Sequence, residues 1–159
     1  MIILGIDPGI ADTGFGVIKK TRDVFCVLEY GTIATKKTDS LMDRLQELHS
    51  AIIGLIKKYK PARIGVEELF FSKNAKTAMT VAHARGVILL AAKSAHCPVQ
   101  EYTPPQIKQA LTGYGAADKK QIQYMVKSML KLTTIPKPDD AADALAIAIC
   151  TAQTKQYGQ

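Results

Sequence analysis

Residues 2–20, IILGIDPGIADTGFGVIKK, decide the fold. Ile2 to Ile6 is a short apolar run with no helical period, and it reads as a buried strand. Asp7-Pro8-Gly9 stops it, because Pro and Gly punctuate the chain with a turn. Thr13 to Lys20 alternates, with glycines at 14 and 16, and reads as a second strand. Val24 to Ala34, rich in Val, Ile, Phe and Tyr, is a third. The links between them are short, so the three form an antiparallel meander.

Downstream the pattern changes to alternating helix and strand. Asp39 or Ser40 caps a helix running to about Lys58, with Leu41, Leu45, Leu48, Ile52, Leu55 and Ile56 on one face. Pro61 ends it. Ala62 to Glu67 is a fourth strand, Asn74 to about Ala95 a long helix, and Val99 to Tyr102 a fifth strand. Pro104-Pro105 opens a short helix broken by Gly113 and Gly115; Asp118 starts another, to about Leu132. The last helix covers roughly 139–153. Three strands followed by alternating helices and strands predict an α/β fold: a mixed five-stranded sheet with helices on its faces. No repeat or linker divides the chain, so residues 1–159 read as a single domain.

Composition sets bounds on function. Of 159 residues, 47% are hydrophobic and 22% charged, which excludes disorder and coiled coil. Twenty-one basic against 14 acidic residues give a net charge of +7, spread along the chain, which favours a polyanionic partner. Cys26, Cys97 and Cys150 are odd in number and widely spaced, excluding a disulfide framework or a C-x-x-C zinc site. They fit reduced thiols in a cytoplasm. The N-terminus lacks the charged segment of a signal peptide, and no apolar run is long enough to span a membrane.

Against this basic background, carboxylates stand out. Asp7 and Glu67 end strands one and four, where ligands sit at the edge of such a sheet. Asp140 and Asp143 are three apart on the last helix and share a face. Asp143 lies in DAADALAIAI, among small and apolar residues where a lone charge is costly. Asp139 and Asp143 are also neighbours, so spacing alone does not choose between Asp139 and Asp140. Such a set of oxygen donors suits Mg2+, and two such ions can assist phosphoryl displacement.

ILGIDPGIADTGFGVI, VEELFFSKNAKTA, ARGVILLAA and PDDAADALAIAI, in this order, resemble the RuvC family of Holliday junction resolvases, within the ribonuclease H-like superfamily. The resemblance runs almost end to end. It implies a ribonuclease H-like five-stranded sheet, three antiparallel strands first, flanked by helices. It implies metal-binding catalytic carboxylates at Asp7, Glu67, Asp140 and Asp143, and so favours Asp140 over Asp139. Lys108 and Lys119 match family lysines used for DNA contact and catalysis, and Phe70 matches an aromatic that stacks on a base. Phe71, Lys73, Asn74, Lys76, Arg85 and Lys120 gain a DNA-binding reading beside them. Basic and aromatic residues together suit phosphates and unpaired bases.

The implied activity is a structure-selective endodeoxyribonuclease of recombination and repair. It places paired symmetric nicks in four-way junction DNA, leaving a 5′-phosphate and a 3′-hydroxyl. The implied cofactor is Mg2+, two ions per subunit, with Mn2+ as a substitute. The implied partners are a second copy of the chain and the RuvA and RuvB branch-migration proteins, in a bacterial cytoplasm. The helix from Asn74 is apolar nearly all round in its second half, which suggests burial on more than one side and a subunit interface. IDPGIADTGFGV also resembles the phosphate loop of actin-like ATPases, but those normally need two such domains. A nuclease of the same fold acting on an RNA–DNA hybrid, and a catalytically silent junction binder, are the other readings. His49, His83 and His96 form no hydrolase motif.

Overall fold

The computed structural model describes residues 1–68 and 75–154, with the side chains of 75–77 left aside. The elements are β1 (Ile2–Asp7), β2 (Asp12–Thr21), β3 (Val24–Ala34), α1 (Leu41–Tyr59), β4 (Arg63–Glu67), α2 (Ala75–Ser94), β5 (Val99–Tyr102), α3 (Pro104–Thr112), α4 (Lys119–Met129) and α5 (Asp139–Gln153). They form one five-stranded sheet of order β3-β2-β1-β4-β5. The first three strands are antiparallel, and β4 and β5 run parallel to β1.

Side chains alternate across the sheet, and the alternation sorts β1 into two faces. Leu4 and Ile6 join Phe15, Val17, Ile64 and Val66 under α1 and α2, whose Leu48, Ile52, Ile56, Ala84 and Ile88 complete that core. Ile3 faces the other way with Ile18, against α3, α4 and α5. Asp7 stands two pleats beyond Ile3 on that same face. The residue between them is Gly5.

Gly5 pairs with Gly16 on β2 and with Gly65 on β4, so three glycines cross the sheet side by side. α5 lies across this row. A Cβ at Gly5 would fall on the Ala144 carbonyl, one at Gly16 on Leu145, and one at Gly65 on the Thr151 hydroxyl. Gly14, paired with Asp7, gives the same clearance to the Asp140 backbone. The helix therefore sits against bare backbone. From Ala141 to Ala152 each residue of α5 is buried except Asp143.

The structure corrects some element boundaries and one face. β2 begins at Asp12, and α4 ends at Met129 rather than near Leu132. Lys131 is left-handed (φ 53°), and the Leu132 N–H closes back on the Lys127 carbonyl. This is the helix stop that glycine usually provides, made here by a lysine. Lys60 ends α1 in the same conformation. Leu41, expected on the apolar face of α1, is exposed in its first turn; Ser40 is the cap, accepting from the Asp43 N–H. α2 buries Ala84, Ile88, Ala91 and Ala92 but leaves Met79 and Leu90 exposed. Among the described residues no helix is long and apolar enough to cross a membrane.

Candidate active site

Parallel pairing sets Ile6 beside Val66, so Asp7 and Glu67 leave neighbouring strands together, at one edge of the sheet and on the α5 face. The two carboxyls share a hydrogen bond. Burial and the negative charges of Glu67, Asp143 and Asp140 push the Asp7 carboxyl up to about 8. Burial also raises Glu67 and Asp143 from their ordinary values, while Lys108 acts on Glu67 in the opposite sense. At neutral pH Asp7 holds the proton and donates it to Glu67. Clustered carboxylates need positive charge among them, and a proton is the smallest supply.

Asp140 and Asp143 reach this edge because Gly14 admits the first turn of α5. Asp139 turns away. It accepts from Lys137 Nζ at 2.9 Å and lies 3.1 Å from Lys119 Nζ. These two lysines lower its carboxyl to about 2. Asp139 and Asp140 both act on Asp143, and Asp140 acts on Asp7 as well.

Lys119, in the first turn of α4, also approaches Asp143, at 3.5 Å. Its hydrogen bond to Asp139 and the Asp143 charge raise its pKa, so it stays cationic. Lys108 of α3 lines the same cleft, of about 220 Å3, with Glu67, Lys119 and Asp143 over Ile107, Ile122 and Ile147. The cleft therefore has carboxylates on the sheet side and two cations on the α3–α4 side. Lys120 does not enter it; it lines a separate groove. Arg85 is ion-paired with Glu101 of β5. Phe70, Phe71, Lys73 and Asn74 lie outside the described residues, as does the side chain of Lys76.

Sequence reasoning missed the support of the loop after Asp7. Thr13 Oγ1 donates to the Gly9 carbonyl, Thr35 Oγ1 to the Ile10 carbonyl at 2.5 Å, and the Thr35 N–H to the Ala11 carbonyl at 3.0 Å. Arg44 of α1 donates to Thr35 Oγ1 at 2.9 Å and to the Ile10 carbonyl at 3.2 Å. A trans peptide sets C=O and N–H on opposite sides, so the Ile10 and Ala11 N–H groups point away from these ties. No local signal ties Arg44 to Ile10, because only tertiary packing brings them together.

The donor set suits a hard divalent cation: carboxylate oxygens, with no sulfur or imidazole among them. Among the described residues no three such side chains close into a cage around one point. Like charges without a counter-ion keep apart, and Asp7 and Glu67 approach through a proton instead.

A family model described as crossover junction endodeoxyribonuclease RuvC matches residues 3–151. The crossover junction endodeoxyribonuclease RuvC of Desulforamulus reducens is 55% identical over 153 residues, 96% of this chain and 94% of that protein. That of Ruminiclostridium cellulolyticum is 52% identical over 158 residues, 99% of this chain and 95% of that one. The structure of Thermus thermophilus RuvC superposes with a TM-score of 0.88 at 36% identity, covering 96% of this chain and 93% of that chain. The same protein in complex with Holliday junction substrate gives a TM-score of 0.88 at 33% identity over the same shares. The chain belongs to the RuvC family of crossover junction endodeoxyribonucleases, whose members depend on divalent metal.

Proposed function

We propose that this chain resolves Holliday junctions in DNA recombination and repair, by paired symmetric nicks made at the Asp7 edge of the sheet. The observation that carries the reading is the cleft in which Glu67 and Asp143 face Lys108 and Lys119, with Asp7 beside it under the negative charge of Glu67, Asp143 and Asp140. Asp7, Glu67, Asp140 and Asp143 would hold Mg2+, two ions per subunit, with Mn2+ as a substitute. Divalent ions bound there would supply charge for the scissile phosphate and an acidified water for attack.

The protein's own groups supply the rest. Asp7 and Glu67, which share a proton in the metal-free protein, would hold the cation as carboxylates. Lys119, held by Asp139 and Asp143, sets a fixed positive charge where negative charge develops on the phosphate. Lys108 faces Glu67 from the other wall of the cleft and meets the DNA backbone there. Phe70, Phe71, Lys73, Asn74, Lys76, Arg85 and Lys120 complete the DNA contact.

A four-way junction has near two-fold symmetry, and paired nicks need two equivalent sites. A homodimer supplies them. The exposed Met79 and Leu90 on α2, with open space around Gly86, suit packing of α2 on its symmetry mate. RuvA and RuvB are the branch-migration partners of this reading, and the bacterial cytoplasm its location.

The test is incubation with a synthetic four-way junction, a duplex of the same sequence and an RNA–DNA hybrid, with Mg2+ or EDTA. Symmetric nicks in the junction alone, lost in EDTA and in Asp7→Asn and Glu67→Gln, are expected. Preferential cutting of the hybrid would overturn the substrate and leave the site. Full cutting by Asp7→Asn would overturn the site.

A further inference from the structure

We propose that the groove between the α3–α4 loop and the outer face of α4 is a second nucleic-acid site, taking unpaired DNA next to the cut. It rests on the reading above, because the DNA must first lie in the cleft. The groove, of about 460 Å3, is lined by Tyr114, Asp118, Lys120, Gln121, Tyr124 and Met125, among others. Lys119 lines the catalytic cleft and Lys120 lines this groove, so two consecutive residues in the first turn of α4 serve the two sites. A strand leaving the cleft past Lys119 passes directly into it.

Two large aromatics stand open here. Tyr114 is 64% exposed and Tyr124 is 65% exposed. Neither position is slack. Gly113 ends α3 in a left-handed turn (φ 74°), and Gln109 Nε2 donates to its carbonyl at 2.8 Å. Thr112 Oγ1 accepts from the Tyr114 N–H at 3.1 Å and lies 2.9 Å from the Tyr114 carbonyl. Tyr124 rides on α4, anchored below by Ile122 and Val126. A tyrosine exposed on an ordered backbone is prepared to stack, with little freedom left to lose on binding.

Charge selects the ligand. Lys120, Tyr124 and Lys127 follow one another at four and three residues, a single stripe along the outside of α4. Residues 104–132 contain Lys108, Lys119, Lys120, Lys127 and Lys131 against one acid, Asp118. Asp118 is engaged as the cap of α4, accepting from the Gln121 N–H at 2.8 Å. Phosphates along the lysines and bases against the tyrosines are the two halves of single-strand recognition. An acidic protein surface would satisfy the lysines but leave the two rings and their groove without a flat partner.

The experiment measures binding of the full chain in EDTA to a four-way junction, the matching duplex and a dT20 strand. Wild type, Tyr114→Ala, Tyr124→Ala, Tyr124→Phe and Lys127→Ala are compared. Each tyrosine-to-alanine variant is expected to lose about 5- to 100-fold in affinity for the junction and for dT20, with the duplex nearly unchanged. Tyr124→Phe should bind as wild type. Lys127→Ala should lower the salt slope by about one unit. Junction and dT20 affinities unchanged in both alanine variants, with native circular dichroism, overturn the proposal and leave the groove to a protein partner. Tyrosine-dependent dT20 binding by a wild-type protein that cuts no junction would keep this site and discard the resolvase reading instead.

Discussion

Replacing Asp7 by asparagine should stabilise the metal-free protein at neutral pH while abolishing its activity. The Asp7 carboxyl titrates near 8 in the fold and near 3.8 in the unfolded chain. Between those values the native state binds more protons than the unfolded state, so rising pH removes stability. The contribution is complete below 3.8 and gone above about 8. Each pH unit in that window costs roughly 1.4 kcal/mol, or about 4 kcal/mol by pH 7. Asp7 is only partly buried, and solvent reduces the penalty, so about 2 kcal/mol is expected. Asparagine keeps an N–H donor for Glu67 and has no proton to lose. Thermal melts in EDTA from pH 4 to pH 9 should show the variant rising above wild type by about 4–8 °C at pH 7–8, the gap closing near pH 4. Mg2+ should stabilise wild type more than the variant and narrow the gap. A variant no more stable than wild type at pH 8, or a gap independent of pH, would refute the account of Asp7 as a carboxylate crowded by like charge.

Gly5→Ala should lower stability by about 3 kcal/mol or more, because its Cβ meets the Ala144 backbone, which cannot yield without lifting α5. Denaturant midpoints measure this, and an unchanged midpoint would mean α5 does not rest on the glycine row. Lys119→Ala should slow single-turnover junction cutting by about 10²–10³-fold with little loss of binding. A rate within roughly threefold of wild type would remove Lys119 from the chemistry. Arg44→Ala should cost about 1–2 kcal/mol and speed exchange of the Thr35 amide, which bonds the Ala11 carbonyl, since the loop loses two of its ties. Unchanged exchange there would show that Thr13 and Thr35 suffice.

Much of the fold was legible because its signals are local. Pro and Gly after Asp7, the break at Pro61 and the Pro104-Pro105 pair mark element ends by backbone chemistry that needs no partner. β3, β5 and α5 run where their residues predict. The positions of Asp7 and Glu67 at strand ends, and of Asp143 in an apolar helix, were likewise visible in the chain. The stops at Lys60 and Lys131 were not, because a left-handed lysine leaves no compositional mark.

What the sequence determined alone was the order of elements and the places of Asp7, Glu67 and Asp143 within them, since hydrophobic period and turn chemistry act within a few residues. Tertiary structure decided which acids meet. Gly16, Gly5 and Gly65 are far apart in the chain, and only pairing of β2, β1 and β4 makes them a row on which α5 can lie flat. That descent brings Asp140 to Asp7 and leaves Asp139 to Lys119 and Lys137. These choices depend on a helix's depth and rotation against a sheet, and such quantities arise from contacts between segments, which no stretch of sequence contains by itself.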